Sequence, residues 1–261
     1  MADADVATRL AAVRERHGEV LAIVAPPRTA STALARVLWN HPDVGWYSHE
    51  PFEATWYRGA GAADAAELLE SPEAVAALGG RGSGRTLVVK EMTFQIGDAF
   101  PLLAALATRP IVFLVRDPRL SIASRMRVLR ASNRPELFPL RESGWEDLAR
   151  QLEFVRRERI EHLIVDSTHL RARPTRIAPR ILERLGLSYA PELLTWGSSQ
   201  ATGLSSVSGG DDPFYRHVLA SGGLEAPQES LPALDEFPAD DGFRAHVAEC
   251  VARYEALQLV Y

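Results

Sequence analysis

The chain has 261 residues, of which 46% are hydrophobic and 24% are charged, and its formal net charge is −5. This length suits one large α/β domain, and we expect a single domain over residues 1–261. The sequence contains no long basic stripe and no run of about 18 apolar residues, so neither a nucleic-acid partner nor a membrane-inserted helix is expected.

Apolar runs alternate with helical patterns along the chain. The apolar runs predict strands at residues 20–25, 44–47, 85–90, 110–115 and 162–166. Helices are predicted at residues 3–17, 31–39, 62–69, 101–108, 120–129, 145–159, 175–185 and 243–257. The alternation implies right-handed βαβ units, so we expect a three-layer α/β/α fold with a mostly parallel central sheet.

The first predicted strand leads into a short loop, residues 26–32, which reads Pro-Pro-Arg-Thr-Ala-Ser-Thr. A helix that starts at such a loop presents unpaired N–H groups and partial positive charge, which together attract an anion. Arg28 adds a full charge, and the hydroxyls of Thr29, Ser31 and Thr32 add donors. A plain strand-to-helix connection with a Ser or Thr cap is the alternative. The loop lacks the glycines and the lysine of the triphosphatase P-loop.

A second candidate anion site follows the strand predicted at residues 110–115. Arg116 stands at the carboxyl end of this strand, where open parallel sheets bind ligands, and Ser124 lies eight residues on in the next helix. An arginine and a serine that converge suit a phosphate monoester. The alternatives are a salt-bridged strand end at Arg116 and Asp117, or a magnesium-holding Walker B aspartate at Asp117 or Asp166, for which the P-loop lysine is missing.

Together the two runs resemble the phosphosulfate loop and the 3′-phosphate segment of sulfotransferases that use 3′-phosphoadenosine 5′-phosphosulfate (PAPS). The loop differs from the family at Ala30, where glycine is usual, and because a Cβ disfavours positive φ we expect a slightly reshaped loop. The resemblance implies a P-loop NTPase-like fold and PAPS as co-substrate, with no metal. The cofactor-binding residues that it implies are Arg28, Thr29, Ala30, Ser31, Thr32, Arg116 and Ser124.

The same resemblance indicates the catalytic residues, which are Glu50, Arg28 and Lys90. Glu50 is the expected general base, with His49 as the fallback, and only one of the two is expected to reach the site because neighbours on a strand face opposite ways. Lys90, at the end of its strand, is expected to stabilise the transferring sulfonate. The alternatives are a surface carboxylate at Glu50 and an exposed strand-end lysine.

The expected function is therefore transfer of a sulfonate from PAPS to a hydroxyl of a small-molecule acceptor. A P-loop-type kinase or another nucleotide-phosphate enzyme stays open, as does a non-catalytic nucleotide-binding protein.

Residues 190–240, rich in Ser, Gly, Asp and Pro, are predicted to form a lid or to bind the acceptor. Arg171, Arg173 and Arg176 are interpreted as a solvated basic face, and a contribution to an anion site is the alternative. A single cysteine, Cys250, and no signal-peptide pattern favour the cytoplasm, and a homodimer stays open.

Overall fold

A six-stranded sheet forms the centre of the protein, whose computed structural model describes residues 2–197, 204, 213–257 and 259. The strands are β1 (Val20–Ala25), β2 (Val44–His49), β3 (Glu73–Ala74), β4 (Thr86–Met92), β5 (Ile111–Val115) and β6 (His162–Asp166). Their spatial order is β3-β2-β4-β1-β5-β6. All neighbouring pairs are parallel except β2 with the two-residue edge strand β3.

Helices connect the strands and cover the sheet. In chain order the α-helices are α1 (Ala2–His17), α2 (Ser31–Trp39), α3 (Glu53–Arg58), α4 (Ala62–Glu70), α5 (Thr93–Ile96), α6 (Phe100–Leu106), α7 (Pro118–Ala131), α8 (Trp145–Arg157), α9 (Ser167–Ala172), α10 (Pro174–Arg184), α11 (Arg216–Ala220) and α12 (Phe243–Glu255). Short 3₁₀ helices lie at Val75–Leu78, Gly97–Ala99, Leu140–Ser143, Pro191–Leu194, Leu234–Glu236 and Asp240–Gly242.

Both faces of the sheet are buried, which explains why β1 is a continuous apolar run. Val20, Ala22 and Val24 pack with α1, α4, α6, α7, α8 and α12 on one face. The alternating residues Leu21 and Ile23 pack with α2 and α10 on the other face. Side chains alternate across a strand, so a strand that is covered twice needs apolar residues at every position. The result is a three-layer α/β/α domain, as the sequence predicts.

Most predicted elements form where the sequence places them. The strands at 20–25 and 162–166 and the helix at 31–39 have the predicted bounds, and the other predicted elements shift by one or two residues at their ends. The edge strand β3 and the short helices α3, α5, α9 and α11 were not predicted. The described part of the chain has no helix that is long and apolar enough to cross a bilayer.

The parallel strands bring several connecting segments to one edge of the sheet. The segments that follow β1, β2, β4 and β5 all leave from the carboxyl ends of adjacent parallel strands. This edge is where open α/β sheets bind ligands. The loop at residues 26–32, Glu50, Lys90 and Arg116 therefore converge here, although they are far apart in sequence.

Candidate functional site

The loop after β1 has a strained backbone. Ala30 lies in the left-handed region, with φ 62° and ψ 27°, and Arg28 has φ 63°. A residue with a Cβ costs about 1–2 kcal/mol in this conformation. The Cβ of Ala30 does not prevent a positive φ, which glycine adopts readily. Strain of this kind clusters at ligand sites, where the surrounding structure maintains it.

The N-terminus of α2 is open toward a large cavity. Ala30 is its N-cap residue, and no side chain caps the first turn. Ser31 and Thr32 line the cavity. Thr29 is different, because its hydroxyl donates to the Pro26 carbonyl at 3.0 Å and its side chain is fully buried. The helix start can therefore bind an anion with its own N–H groups and two hydroxyls.

The two anion motifs are in direct contact. Arg28 Nε donates to Ser124 Oγ at 3.2 Å, and Arg116 Nη1 donates to the Arg28 carbonyl at 3.4 Å. Arg116 is 4% exposed, and its Nε has no hydrogen-bond partner among the described residues. A buried guanidinium donor without an acceptor is costly. A phosphate group would supply the missing acceptors, so these residues fit a phosphorylated ligand.

Several arginines line this cavity, and their positive charges would stabilise a bound anion. Burial, together with the nearby charges of Arg116 and Arg125, lowers the pKa of Arg28 to about 10. Burial and the charge of Arg116 also lower the pKa of Arg171, which lines the cavity. The interpretation of Arg171 as part of a solvated face is therefore wrong. An anion bound among these cations would favour their charged forms.

Glu50 presents a buried carboxylate to the cavity. Its Oε1 accepts hydrogen bonds from Lys90 Nζ and, at 2.7 Å, from the Tyr215 hydroxyl, while His49 Nε2 lies 3.3 Å away. Burial disfavours the charged form, but Lys90 and His49 outweigh burial and lower the pKa of Glu50. The carboxylate is therefore ionised at neutral pH and can accept a hydrogen bond, while the same lowered pKa weakens it as a proton acceptor.

His49 lies behind Glu50 rather than in the cavity. Glu50 lines the cavity, whereas the His49 ring contacts the Glu50 carboxylate. On its other side, His49 Nδ1 lies 2.5 Å from the Tyr47 hydroxyl. β2 ends at His49, and Glu50 has φ 47°, so the chain turns between the two residues. Because of this turn, the His49 ring contacts the carboxylate of its neighbour Glu50. The alternation expected of a strand does not extend to Glu50.

Lys90 is the only lysine in the chain. Its side chain is fully buried, its ammonium binds Glu50, and the expectation of an exposed strand-end lysine is not met. An ammonium is a compact point charge, which suits a single buried carboxylate. In this structure Lys90 sets the charge state of Glu50 and does not line the cavity.

Glu91 is a site residue that the sequence did not reveal. Its fully buried carboxylate accepts the N–H of Phe52 at 2.8 Å and of Met92 at 2.7 Å. Burial and the charge of Glu50 raise the pKa of Glu91 well above its usual value. The side chain thus joins the end of β4 to the turn that carries Glu50. A glutamate next to the strand lysine was the available signal in the sequence.

A C-terminal stretch, residues 213–229, lies over the cavity, and we call it the covering segment. Arg28 Nη1 donates to the Phe214 carbonyl at 2.6 Å, and Tyr215 donates to Glu50. Arg116 Nη2 forms an ion pair with Glu229 Oε2 at 3.1 Å, which lowers the pKa of Glu229 to about 2 against the opposing effect of burial. The segment thus contacts the key residues of both motifs and the candidate base.

The cavity beneath the covering segment has a volume of about 590 Å³. The sequence motifs and the candidate base all contribute to its wall, through Arg28, Ala30, Ser31, Thr32, Glu50, Arg116 and Ser124. Within the described part of the chain, no group of His, Cys, Asp and Glu side chains is arranged to hold a metal ion. Residues 198–203 and 205–212, which belong to the predicted lid, lie outside the described residues.

The comparison with known families decides which kind of domain carries this site. A family model described as a sulfotransferase domain matches residues 19–256. The chain belongs to the sulfotransferase domain family. The match spans the sheet, the loop after β1 and the covering segment. The open α2 N-terminus and the arginine-rich cavity are thus features of a sulfotransferase domain.

Solved sulfotransferase domains share the fold. The structure is similar to the sulfotransferase domain from the curacin biosynthetic pathway, with a TM-score of 0.58 and 16% identity over 91% of this chain and 97% of that one. It is also similar to the sulfotransferase domain from the Synechococcus PCC 7002 olefin synthase, with a TM-score of 0.53 and 16% identity over 91% of this chain and 94% of that one. Among curated proteins, no sequence matches the chain.

Proposed function

We propose that this sulfotransferase domain moves a sulfonate from PAPS to a hydroxyl of a small-molecule acceptor. The contact between Arg28 and Ser124 carries the proposal, because it joins the phosphosulfate loop to the 3′-phosphate segment within one cavity. Sulfotransferases generally take their sulfonate from PAPS. Arg28 lies among other arginines, and Arg116 Nε has no hydrogen-bond partner among the described residues. Both features support a sulfonate donor that carries several negative charges.

Each residue has a proposed part in the transfer. The N–H groups at the start of α2, with Arg28, bind the 5′-phosphosulfate, and Arg116 with Ser124 binds the 3′-phosphate. The bond between sulfur and the phosphate oxygen breaks while the acceptor oxygen binds sulfur in line, and the donor leaves as 3′-phosphoadenosine 5′-phosphate (PAP). Arg28 stabilises the charge that develops on the transferring group.

Glu50 is the proposed general base. The acceptor hydroxyl replaces the Tyr215 hydroxyl at Oε1 and loses its proton to the carboxylate as the oxygen binds sulfur. Lys90 keeps Glu50 ionised and in place, and Glu91 holds the turn that carries it. For both substrates to bind, we propose that the covering segment withdraws from Arg28, Glu50 and Arg116, consistent with a lid.

The cytoplasm remains the predicted location, as the lone, buried Cys250 suggests.

The alternative functions have less support. A P-loop kinase needs a lysine at the phosphates. The one lysine of this chain is buried against Glu50, so it is not available at the loop after β1. A non-catalytic nucleotide-binding protein is favoured only if the Cβ of Ala30 disrupts the loop, and Ala30 instead adopts the left-handed conformation.

Calorimetry with PAP tests the donor site. Wild type is expected to bind PAP, and Arg116→Ala is expected to weaken binding on the order of a hundredfold, the usual cost of removing one partner of a buried charge pair. Arg130→Ala is the matched control, because Arg130 lies on α7, the helix that follows Arg116, is 69% exposed and pairs with Glu136. Absence of PAP binding by wild type would refute the donor assignment.

Turnover of PAPS tests the base. Glu50→Gln is expected to keep PAP binding and to lose roughly a hundred- to ten-thousandfold in rate, the usual contribution of a general base. Glu249→Gln, a change of the same kind on the exposed face of α12, is expected to leave both unchanged. If Glu50→Gln turns over at the wild-type rate, Glu50 takes no part in proton removal.

A further inference from the structure

One part of the cavity wall carries a group of large apolar side chains next to a smaller number of polar ones, which are Glu53, Gln95, Arg125, Arg134 and Glu142. It is built from α3, the end of β4, α5, α7 and the connection that leads to α8. The apolar side chains that line it are Tyr57, Met92, Phe94, Leu129, Leu137 and Phe138. Phe214 connects this part to the donor site, since its ring centroid lies 5.7 Å from Arg28 Cζ and 5.8 Å from Arg125 Cζ.

Two charged groups in this part of the wall, Arg125 and Glu142, interact with each other. Arg125 forms an ion pair with Glu142, and its Cζ lies 4.6 Å from the ring centroid of Phe138 and 5.7 Å from that of Phe94. Glu142 also accepts a hydrogen bond from Trp56 Nε1 at 3.3 Å. A polyhydroxylated acceptor needs several outward-facing donors and acceptors, because a buried hydroxyl without a partner is costly. In this wall apolar side chains outnumber the polar ones, and two of the polar ones, Arg125 and Glu142, are paired with each other.

The contact between Tyr215 and Glu50 indicates which kind of acceptor fits against the candidate base. Its phenol ring lines the cavity, and its hydroxyl donates to Glu50 Oε1 at 2.7 Å. The ring also stands edge-on to His49, with centroids 4.8 Å apart. An apolar ring that carries one hydroxyl thus already fits against the candidate base.

We propose that the acceptor is an alcohol or phenol with an apolar skeleton, which binds against Phe94, Leu137 and Phe138 and places its hydroxyl where Tyr215 now donates. This inference rests on the proposed function, because it concerns the second substrate of the same site. In the transfer, the acceptor O–H bond gives its proton to Glu50, and its oxygen forms the new bond to sulfur as PAP leaves.

The test measures PAP release from PAPS with a panel of four acceptors. 2-Naphthol and 1-octanol represent apolar skeletons, and glucose and glycerol represent polyhydroxylated ones. We expect turnover with the first pair and kcat/KM values at least about a hundredfold lower with the second, because buried hydroxyls would lose their partners. An equal or greater kcat/KM with glucose or glycerol overturns the inference. Turnover with none of the four acceptors, while PAP still binds, also overturns it. Neither result removes the proposed function.

A variant locates the acceptor within the cavity. Leu137→Asn is expected to raise KM for 2-naphthol on the order of tenfold and to leave PAP affinity unchanged. Leu68→Asn is the matched control, since Leu68 is 39% exposed on α4 and does not line the cavity. An unchanged KM in Leu137→Asn contradicts the proposed position. A sulfonate found on Tyr215 by mass spectrometry, without added acceptor, would show that Tyr215 is itself the acceptor and would also overturn the inference.

Discussion

Replacing Lys90 with methionine removes the charge that holds Glu50 in its ionised state. Both side chains are buried, with exposed fractions of 0% for Lys90 and 1% for Glu50. Methionine fills a similar volume without a charge, so packing changes little. Glu50 keeps the hydrogen bond from Tyr215 and the contact with His49, but it loses its strongest favourable charge interaction.

The expected magnitude follows from the burial of the pair. Breaking a buried ion pair by removing one partner costs about 3–5 kcal/mol, because the other charge stays buried and uncompensated. In the wild type, burial opposes ionisation of Glu50 but Lys90 outweighs it, so the pKa lies below its usual value. That stabilisation is present above the unfolded-state pKa and is lost as the pH falls through the folded pKa.

In Lys90→Met the sign reverses. Burial then dominates, and the pKa of Glu50 rises above its unfolded value. The folded variant therefore binds a proton that the unfolded chain releases, and its deficit in free energy of unfolding grows as the pH rises. We expect a deficit of about 3–5 kcal/mol near pH 8, shrinking toward about pH 5.

Urea unfolding of both proteins across this pH range measures the deficit. Arg253→Met is the control, because it removes a cation from the exposed pair with Glu249 and should cost less than about 1 kcal/mol. A deficit that is the same at every pH, or no larger than that of the control, would show that Lys90 does not set the ionisation of Glu50.

Three further changes test the loop, the covering segment and their support. Ala30→Gly should raise the free energy of unfolding by about 1 kcal/mol, since glycine adopts φ 62° without strain; a lower value in urea unfolding contradicts the strain. Glu229→Gln should tighten PAP binding a few-fold, about 1 kcal/mol, by removing the carboxylate that competes for Arg116; weaker binding in calorimetry would place Glu229 in the nucleotide site. Gly144→Ala should lower the free energy of unfolding by about 1–3 kcal/mol, because a Cβ would come within 3.1 Å of Pro26 Cα; an unchanged urea midpoint would exclude this close approach.

The elements that could be predicted are those with local signals. β1 is apolar at every position because both faces of the sheet are covered, and Gly18, with φ 71°, follows the end of the preceding helix. The edge strand β3 has only two residues, too few for a periodic pattern. The short helices α5 and α11, with four and five residues, form through tertiary contacts because such lengths are unstable alone.

The candidate site could be predicted where a residue follows a recognisable strand. Arg116 and Glu50 fall into this class, and so does the loop after β1. Tyr215 and Glu229 could not be predicted, because they come from a segment without periodicity that reaches the site only when the chain folds back.

The amino-acid sequence by itself determined the layer order of the fold and the anion-binding character of the loop at residues 26–32. Both depend on local properties, namely apolar periodicity and the open N-terminus of a helix. Only the tertiary structure decided that Lys90 faces Glu50, that Arg28 contacts Ser124, and that Tyr215 reaches the same carboxylate. These contacts join residues 40, 96 and 165 positions apart, and their energies depend on burial that no local pattern specifies.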